Sequence, residues 1–170
     1  GEIMVLTFLL RRKMMLRVRA TFIKCAILQY ITSCGMEKKN LIVSEQIRSA
    51  CPDFVGGALY AEFTNSEYCE ELWNEIRVKA GELKMRQTVD TIKHISGIEA
   101  TRRVYKACGK DPSRYRPSNE QLVRRILQGK ELWTVNTAVD IGNLVSIDYG
   151  YSVGCFDYDK IQGNDIVLGV

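Results

Sequence analysis

Two neighbouring stretches decide the fold: RPSNEQLVRRILQG at residues 116–129 and VNTAVDIGNLV at residues 135–145. In the first, SNEQ at 118–121 is typical of a capping box, and apolar residues then recur at helical spacing until Gly129. The second leads into an apolar-patterned stretch over 140–149 that ends at Gly150, a residue type that commonly terminates helices. We therefore expect two consecutive helices here, joined by a short connection.

Working outward from these helices, the chain alternates strand-like and helix-like segments. Downstream we expect a strand at 152–156, a turn at 157–163 and a further strand from Ile166. Upstream, a short strand at 41–43 precedes a helix that Ser44 caps and that ends before Pro52. We further expect a strand at 54–63 and a helix over 67–85 capped by Asn65 or Ser66. Segment 87–95 either continues that helix or begins another one, and a helix over 96–108 is opened by a capping box and closed by Gly109.

The length of 170 residues and the ordinary globular composition indicate one domain and exclude disordered, collagenous and low-complexity classes. Six cysteines lack any C-x-x-C pair, and the chain has one histidine, His94. A structural zinc site and a disulfide framework are therefore not expected, and we predict a protein without a metal or cofactor in a reducing, cytoplasmic setting. The common nucleotide-binding, metalloprotease and serine hydrolase motifs are also missing from the sequence.

The N-terminal segment 1–35 differs from the rest, because it carries six basic residues and one acidic residue. No window in it reaches the roughly 18 uncharged apolar residues of a membrane span. A secretory signal and a basic amphipathic helix are two possible interpretations. The third, which we favour, places the natural start at Met36, so that 1–35 is an extension of doubtful role and 36–170 is the domain.

Basic residues are concentrated between 101 and 130, where nine basic residues accompany two acidic ones, with Tyr105 and Tyr115 interspersed. Guanidinium groups suit phosphates, and aromatic rings can stack on bases. The alternative is a pair of solvated helix faces and a loop. The RNA-binding candidates are Arg102, Arg103, Lys106, Arg114, Arg116, Arg124, Arg125 and Lys130.

The stretch 116–145, with its continuation GCFDYDKI at 154–161, resembles the B3/4 domain of the phenylalanyl-tRNA synthetase beta chain. The order of the upstream segments is more similar to freestanding B3/4 proteins, because no aminoacylation core is present. The resemblance covers residues 116–168 and implies an α+β fold, a layered sandwich of sheets and helices, which is expected to continue beyond Val170.

In the synthetase this module hydrolyses tyrosine wrongly attached to phenylalanine tRNA, so the resemblance also implies an amino-acid-sized pocket. Asp140 and Asn143 match its pocket motif, whereas Gly142 and Gly154 replace a threonine and a histidine. These two changes remove a hydroxyl and an imidazole that could orient the ester or water. With Asn136, these four residues are the pocket candidates, and the alternative role for Asn136, Asp140 and Asn143 is to cap and fix the helix start.

Two hypotheses follow from the resemblance and the charge pattern. The first is a freestanding B3/4 protein that binds tRNA or aminoacyl-tRNA, with deacylation of a mischarged ester as its enzymatic form. The second is a non-catalytic protein of the same fold that binds an amino acid or a related metabolite. Neither hypothesis involves DNA or a membrane span.

Overall fold

The computed structural model describes residues 2–10, 39–62 and 64–170. Its strands are β1 (Glu2–Leu10), β2 (Asn40–Val43), β3 (Phe54–Glu62), β4 (Val153–Asp157) and β5 (Asp165–Leu168). Its helices are α1 (Glu45–Ala50), α2 (Glu70–Arg86), α3 (Ser96–Ala107), α4 (Ser118–Leu127) and α5 (Thr137–Tyr149). Single 3-10 turns lie at Ile92–His94 and Tyr158–Lys160.

The described strands form two small sheets. In the three-stranded antiparallel sheet, β1 lies between β3 and β4, and Leu6 is opposite Ala58 on one side and Gly154 on the other. The second sheet pairs β2 with β5 in parallel, with Leu41 opposite Ile166. Because parallel strands need a crossover connection, a long stretch of chain must run from the end of β2 to the start of β5. Helices α1 to α5 all lie within this stretch.

Helix α5 lies between the antiparallel sheet and the other helices. On one side, Gly142 packs against Val153 and Cys155 of β4. On the other side, Leu144 and Ile147 join Trp73 and Ile76 of α2 and Ile126 of α4 in one apolar cluster. The antiparallel sheet, α5, and the pair of helices α2 and α4 therefore form three successive layers. This layering buries both faces of α5.

Helix α3 approaches the end of α5 at Gly97. A Cβ atom at Gly97 would lie 2.2 Å from the carbonyl oxygen of Gly150, so only glycine fits there without a backbone shift. The same carbonyl accepts a hydrogen bond of 2.6 Å from Asn119 Nδ2 of α4. Three helices are therefore joined at a buried polar junction around Gly150.

The expected α+β class is confirmed, and each predicted helix and strand has a counterpart within a few residues. Two of the predicted side-chain caps are observed: the Ser44 hydroxyl accepts from Ile47 N at the start of α1, and Asn136 caps α5. Helices α3 and α4 begin at Ser96 and Ser118 without a side-chain cap, so the two predicted capping boxes are wrong. Segment 87–95 contains a 3-10 turn rather than a helix.

The N-terminal prediction needs correction for the residues that the structure describes there. We expected 1–35 to have no role in the fold, but residues 2–10 form β1, in the middle of the antiparallel sheet. Seven of these nine residues are apolar, with Glu2 and Thr7 as the exceptions, which suits a strand that has neighbours on both sides. The secretory-signal and amphipathic-helix interpretations concern residues that lie mainly between 11 and 38, outside the described part of the chain.

Candidate functional site

The predicted pocket residues Asn136 and Asp140 both stabilise the start of α5. Asn136 is the N-cap residue, and its side-chain oxygen accepts from Val139 N at 3.0 Å. Asp140 is completely buried, and its Oδ2 accepts hydrogen bonds of 2.8 Å from both Trp73 Nε1 and Thr134 Oγ1. The structure therefore shows the capping and fixing arrangement for these two residues.

A residue far away in the sequence contributes to the same helix start. Asn65 was expected to cap α2, but its Oδ1 accepts from Thr137 Oγ1 at 2.8 Å and from Ala138 N at 3.1 Å. Helix α2 instead begins at Glu70, after Cys69, without a side-chain cap. The first turn of α5 is thus held by groups on two separate segments.

The two glycines at the family's threonine and histidine positions lie in packed surroundings. A Cβ atom on Gly142 would come within 3.0 Å of Cys155 Sγ, and one on Gly154 within 3.0 Å of the Phe156 ring. Gly142 therefore faces β4, where even a methyl group requires its neighbours to shift. Asn143 is half-buried on the same helix.

Cys155 belongs to this packed layer and not to a reactive site. Its Sγ lies 3.4 Å from the carbonyl oxygen of Ala138, and burial raises the pKa of the thiol. A raised pKa lowers the thiolate fraction at neutral pH, which makes a thiol a poor nucleophile. Across the described residues, no group of three or more His, Cys, Asp or Glu side chains is arranged to hold a metal ion.

Three of the predicted RNA-binding residues converge on one buried carboxylate. Glu120, in the first turn of α4, has a side chain that is 2% exposed and accepts from Arg102 NH1 at 2.8 Å. Arg124 NH2 and Arg116 Nε lie 3.4 Å and 3.9 Å from the other Glu120 oxygen, Oε1. The continuous basic surface expected from the sequence is therefore divided, because these three residues form a cluster of their own.

Two other candidates lie beside exposed aromatic rings. The Arg125 guanidinium is 3.8 Å from the centroid of the Trp133 ring, which is 63% exposed. Arg114 and Lys110 lie 5.4 Å and 5.9 Å from the centroid of the Tyr115 ring, which is 50% exposed. Such distances are within the range of cation–π contacts, which hold the charge over the ring face.

The remaining candidates are exposed. Arg103 forms a long ion pair with Asp53, with 3.5 Å between NH2 and Oδ2. Lys106 lies on the exposed part of α3, and Lys130 follows the end of α4. Tyr105, which we expected among the stacking rings, is half-buried.

A cleft of about 450 Å³ lies between α2, α4 and the connection to α5. Its floor includes Trp73, Ile76, Ile126 and Leu132. Lys84, Lys130 and Glu131 lie at its edge and have no ion-pair partner among the described residues. Of the five predicted pocket residues none lines this cleft, although Asp140 holds two of its lining residues, Trp73 and Thr134.

Sequence reasoning missed Trp133 and Glu120. Trp133 lies three residues after Lys130, so an aromatic residue at the end of a basic segment was a usable signal. Glu120 lies four residues from both Arg116 and Arg124, which was a usable signal, but its contact with Arg102 could not be read from the sequence, because Arg102 is 18 residues away on another helix. The cleft was also missed, since it brings α2 together with residues more than forty positions later.

The comparisons with known proteins bear on the second half of the chain. Residues 100–170 match the family model of the B3/4 domain. No curated protein and no solved structure matches the chain. Among the helices in the described part, none is long and apolar enough to cross a membrane. Residues 100–170 of this chain, which include α4, α5 and β4, are therefore similar to the B3/4 domain, the family whose resemblance the motif at 116–145 carries.

Proposed function

We propose that this protein binds tRNA or aminoacyl-tRNA through the exposed cation–aromatic pairs Arg125–Trp133 and Arg114–Tyr115. These pairs are the observation that supports the proposal. Each combines a guanidinium group, which suits a phosphate, with a ring that is at least half exposed and can stack on an unpaired base. The similarity of residues 100–170 to the B3/4 domain supports the choice of tRNA as the RNA.

The proposal covers binding without ester hydrolysis. Deacylation needs a group that can take a proton from water near the scissile ester. At the five candidate pocket positions, Asp140 uses both oxygens in hydrogen bonds that fix α5, and the other positions are occupied by two amides and two glycines. We expect tyrosine-charged phenylalanine tRNA to lose its amino acid no faster with the protein than without it.

A filter-binding titration of a tRNA transcript over several salt concentrations tests the binding. We expect Arg125→Ala and Arg114→Ala each to weaken binding and to reduce the salt slope by about one, because each removes a phosphate contact. Trp133→Ala should weaken binding without changing the slope, since stacking is not ionic.

Arg86→Ala is the matched control. Arg86 is also exposed, at 72%, but it lies at the end of α2 beside Glu82. Its removal changes the net charge equally and should leave the affinity close to that of the unchanged protein. Equal effects of Arg86→Ala and Arg125→Ala would contradict the proposed interface.

The cleft favours a second candidate function, the binding of an amino acid or a related metabolite. Its volume of about 450 Å³ lies within the range of small-molecule sites, and its apolar floor is bordered by groups of both charges. A thermal-unfolding screen of free amino acids without RNA tests this function, because a ligand raises the midpoint by mass action. A shift that Lys84→Ala and Lys130→Ala abolish would support it, and the absence of any shift would exclude amino acids as ligands.

A further inference from the structure

The cluster around Glu120 contains more positive charge than its one carboxylate neutralises. Arg102, Arg116 and Arg124 all have a guanidinium nitrogen within 4 Å of Glu120. Among the described residues, none of the three arginines has a second carboxylate within ion-pair distance. The cluster therefore holds an excess of two positive charges.

The three arginine side chains that carry this excess positive charge are partly buried but still accessible to solvent. The side chains of Arg102, Arg124 and Arg116 are 20%, 27% and 37% exposed, while Glu120 beneath them is almost completely buried. Like charges close together in such a setting repel each other more strongly than they would in bulk water. A bound anion would relieve that repulsion.

The three arginines also keep N–H groups that Glu120 does not use. Each guanidinium group has five such donors in a fixed planar arrangement. Arg124 Nε is buried and has no hydrogen-bond partner in the described structure. Arg102 NH2 donates only to the exposed hydroxyl of Ser113, at 3.2 Å. Glu120 thus fixes three guanidinium groups from α3, α4 and the loop between them while leaving donors for a ligand.

We propose that Arg102, Arg116 and Arg124 form a binding site for a phosphomonoester dianion. The charge count selects this group, because a phosphomonoester carries about 1.5 to 2 negative charges at pH 7 whereas each internal phosphate of RNA carries one. Two sources share this chemistry: the phosphorylated end of an RNA and a small phosphorylated metabolite. The RNA source rests on the proposed function, but the phosphate site itself does not.

Thermal unfolding with two phosphate probes tests the site. Inorganic phosphate should raise the midpoint by about 3–6 °C at roughly ten times its dissociation constant. Dimethyl phosphate, a monoanion, should raise it much less at the same ionic strength. Equal shifts with the two probes, or no shift with either, would overturn the proposal whatever the variants show.

Arg116→Gln is the informative variant, because Arg116 makes the longest contact with Glu120 and its loss should disturb folding least. Arg86→Gln is the matched control: it removes the same charge from an exposed side chain at the end of α2, away from the cluster. We expect the phosphate shift to disappear in Arg116→Gln and to remain in Arg86→Gln. A full shift in Arg116→Gln would contradict the proposal. If Arg116→Gln does not fold, the comparison of the two probes on the unchanged protein decides.

A pair of RNAs with the same sequence, one with a 5′-phosphate and one with a 5′-hydroxyl, separates the two sources. An RNA source predicts about tenfold tighter binding of the phosphorylated RNA, and equal binding of both RNAs by Arg116→Gln. Equal binding of both RNAs by the unchanged protein, together with an Arg116-dependent phosphate shift, supports the metabolite source. A phosphate shift without RNA binding would contradict the proposed function alone, and RNA binding without a phosphate shift would contradict this inference alone.

Discussion

Trp73 Nε1 donates a hydrogen bond of 2.8 Å to Asp140 Oδ2, and this bond joins α2 to the first turn of α5. Both side chains are buried, and Asp140 also accepts from Thr134 Oγ1. The residue that matches the family's pocket motif therefore supports the helix layer from inside. Trp73, which donates this hydrogen bond, forms part of the floor of the cleft. Asp140 therefore also helps to set the shape of that cleft.

Replacing Asp140 should cost stability. Asp140→Ala leaves the indole N–H of Trp73 without its acceptor, and an unsatisfied buried donor costs about 1–3 kcal/mol. We expect a lower free energy of unfolding in urea by at least that amount. Asn143→Ala on the same helix is the control and should cost about 0.5 kcal/mol or less. Equal losses in the two variants would contradict the role assigned to Asp140.

Two glycine-to-alanine changes should have opposite effects. Gly97→Ala places a methyl group against the backbone of Gly150, and forcing a group into a packed site costs about 1–3 kcal/mol or more. Gly81→Ala in α2 meets nothing within 4 Å and should stabilise the helix by roughly 0.5–1 kcal/mol. Urea unfolding of both variants measures the difference. A stable Gly97→Ala protein would show that α3 and α5 do not approach each other as described.

The intrinsic fluorescence should report RNA binding at Trp133. The chain has two tryptophans, of which Trp73 is 9% exposed and Trp133 is 63% exposed. A base that stacks on Trp133 should quench its emission, so the fluorescence should fall as tRNA is added. The emission of Trp133→Phe should stay nearly constant in the same titration. Quenching that persists in Trp133→Phe would place the RNA elsewhere.

Cys155 should resist alkylation in the folded protein. Burial raises its thiol pKa, so the reactive thiolate forms only at a pH above the ordinary range for cysteine. Because the thiol pKa is higher in the folded protein than in the unfolded one, the protonated thiol favours the folded state at pH values below the unfolded-state pKa. This contribution to stability is lost as the pH rises through the folded-state pKa. Iodoacetamide labelling followed by peptide mass spectrometry checks this prediction, with the urea-unfolded protein as the reference. Equal labelling rates in the folded and unfolded protein at pH 8 would contradict it.

Helix α4 was predicted correctly from its apolar residues and wrongly from its expected cap. The apolar spacing of Leu122, Val123, Ile126 and Leu127 predicted this helix, observed at Ser118–Leu127, because a helix repeats every 3.6 residues and the pattern is local. The capping box predicted for the same helix is wrong, since Ser118 lies inside the helix and Pro117 precedes it without a side-chain bond. Capping preferences are weak compared with the packing that positions a helix end.

At the candidate site, too, the sequence predicted one part of the arrangement and the tertiary structure decided the rest. The sequence identified a basic segment, but not that Arg102 and Arg124 pair with a buried Glu120 while Arg125 lies over Trp133. Arg124 and Glu120 are four residues apart on α4, but the spacing of Arg102 from Glu120 and of Arg125 from Trp133 is uninformative, because those partners lie on different elements. Exposure likewise depends on which face of each helix the core covers.

The sequence by itself determined the order of helices and strands, the positions where glycine ends a helix, and the similarity of residues 100–170 to the B3/4 domain, since all three depend on local patterns. Only the tertiary structure decided that β1 lies in the middle of a sheet, that Asn65 accepts hydrogen bonds from the first turn of α5, and that Asp140 supports the fold. It also decided which charges are neutralised and which remain available to a ligand. The physical reason is that hydrogen bonds and ion pairs depend on distances of a few ångströms, and chain folding sets those distances between residues that are far apart in sequence.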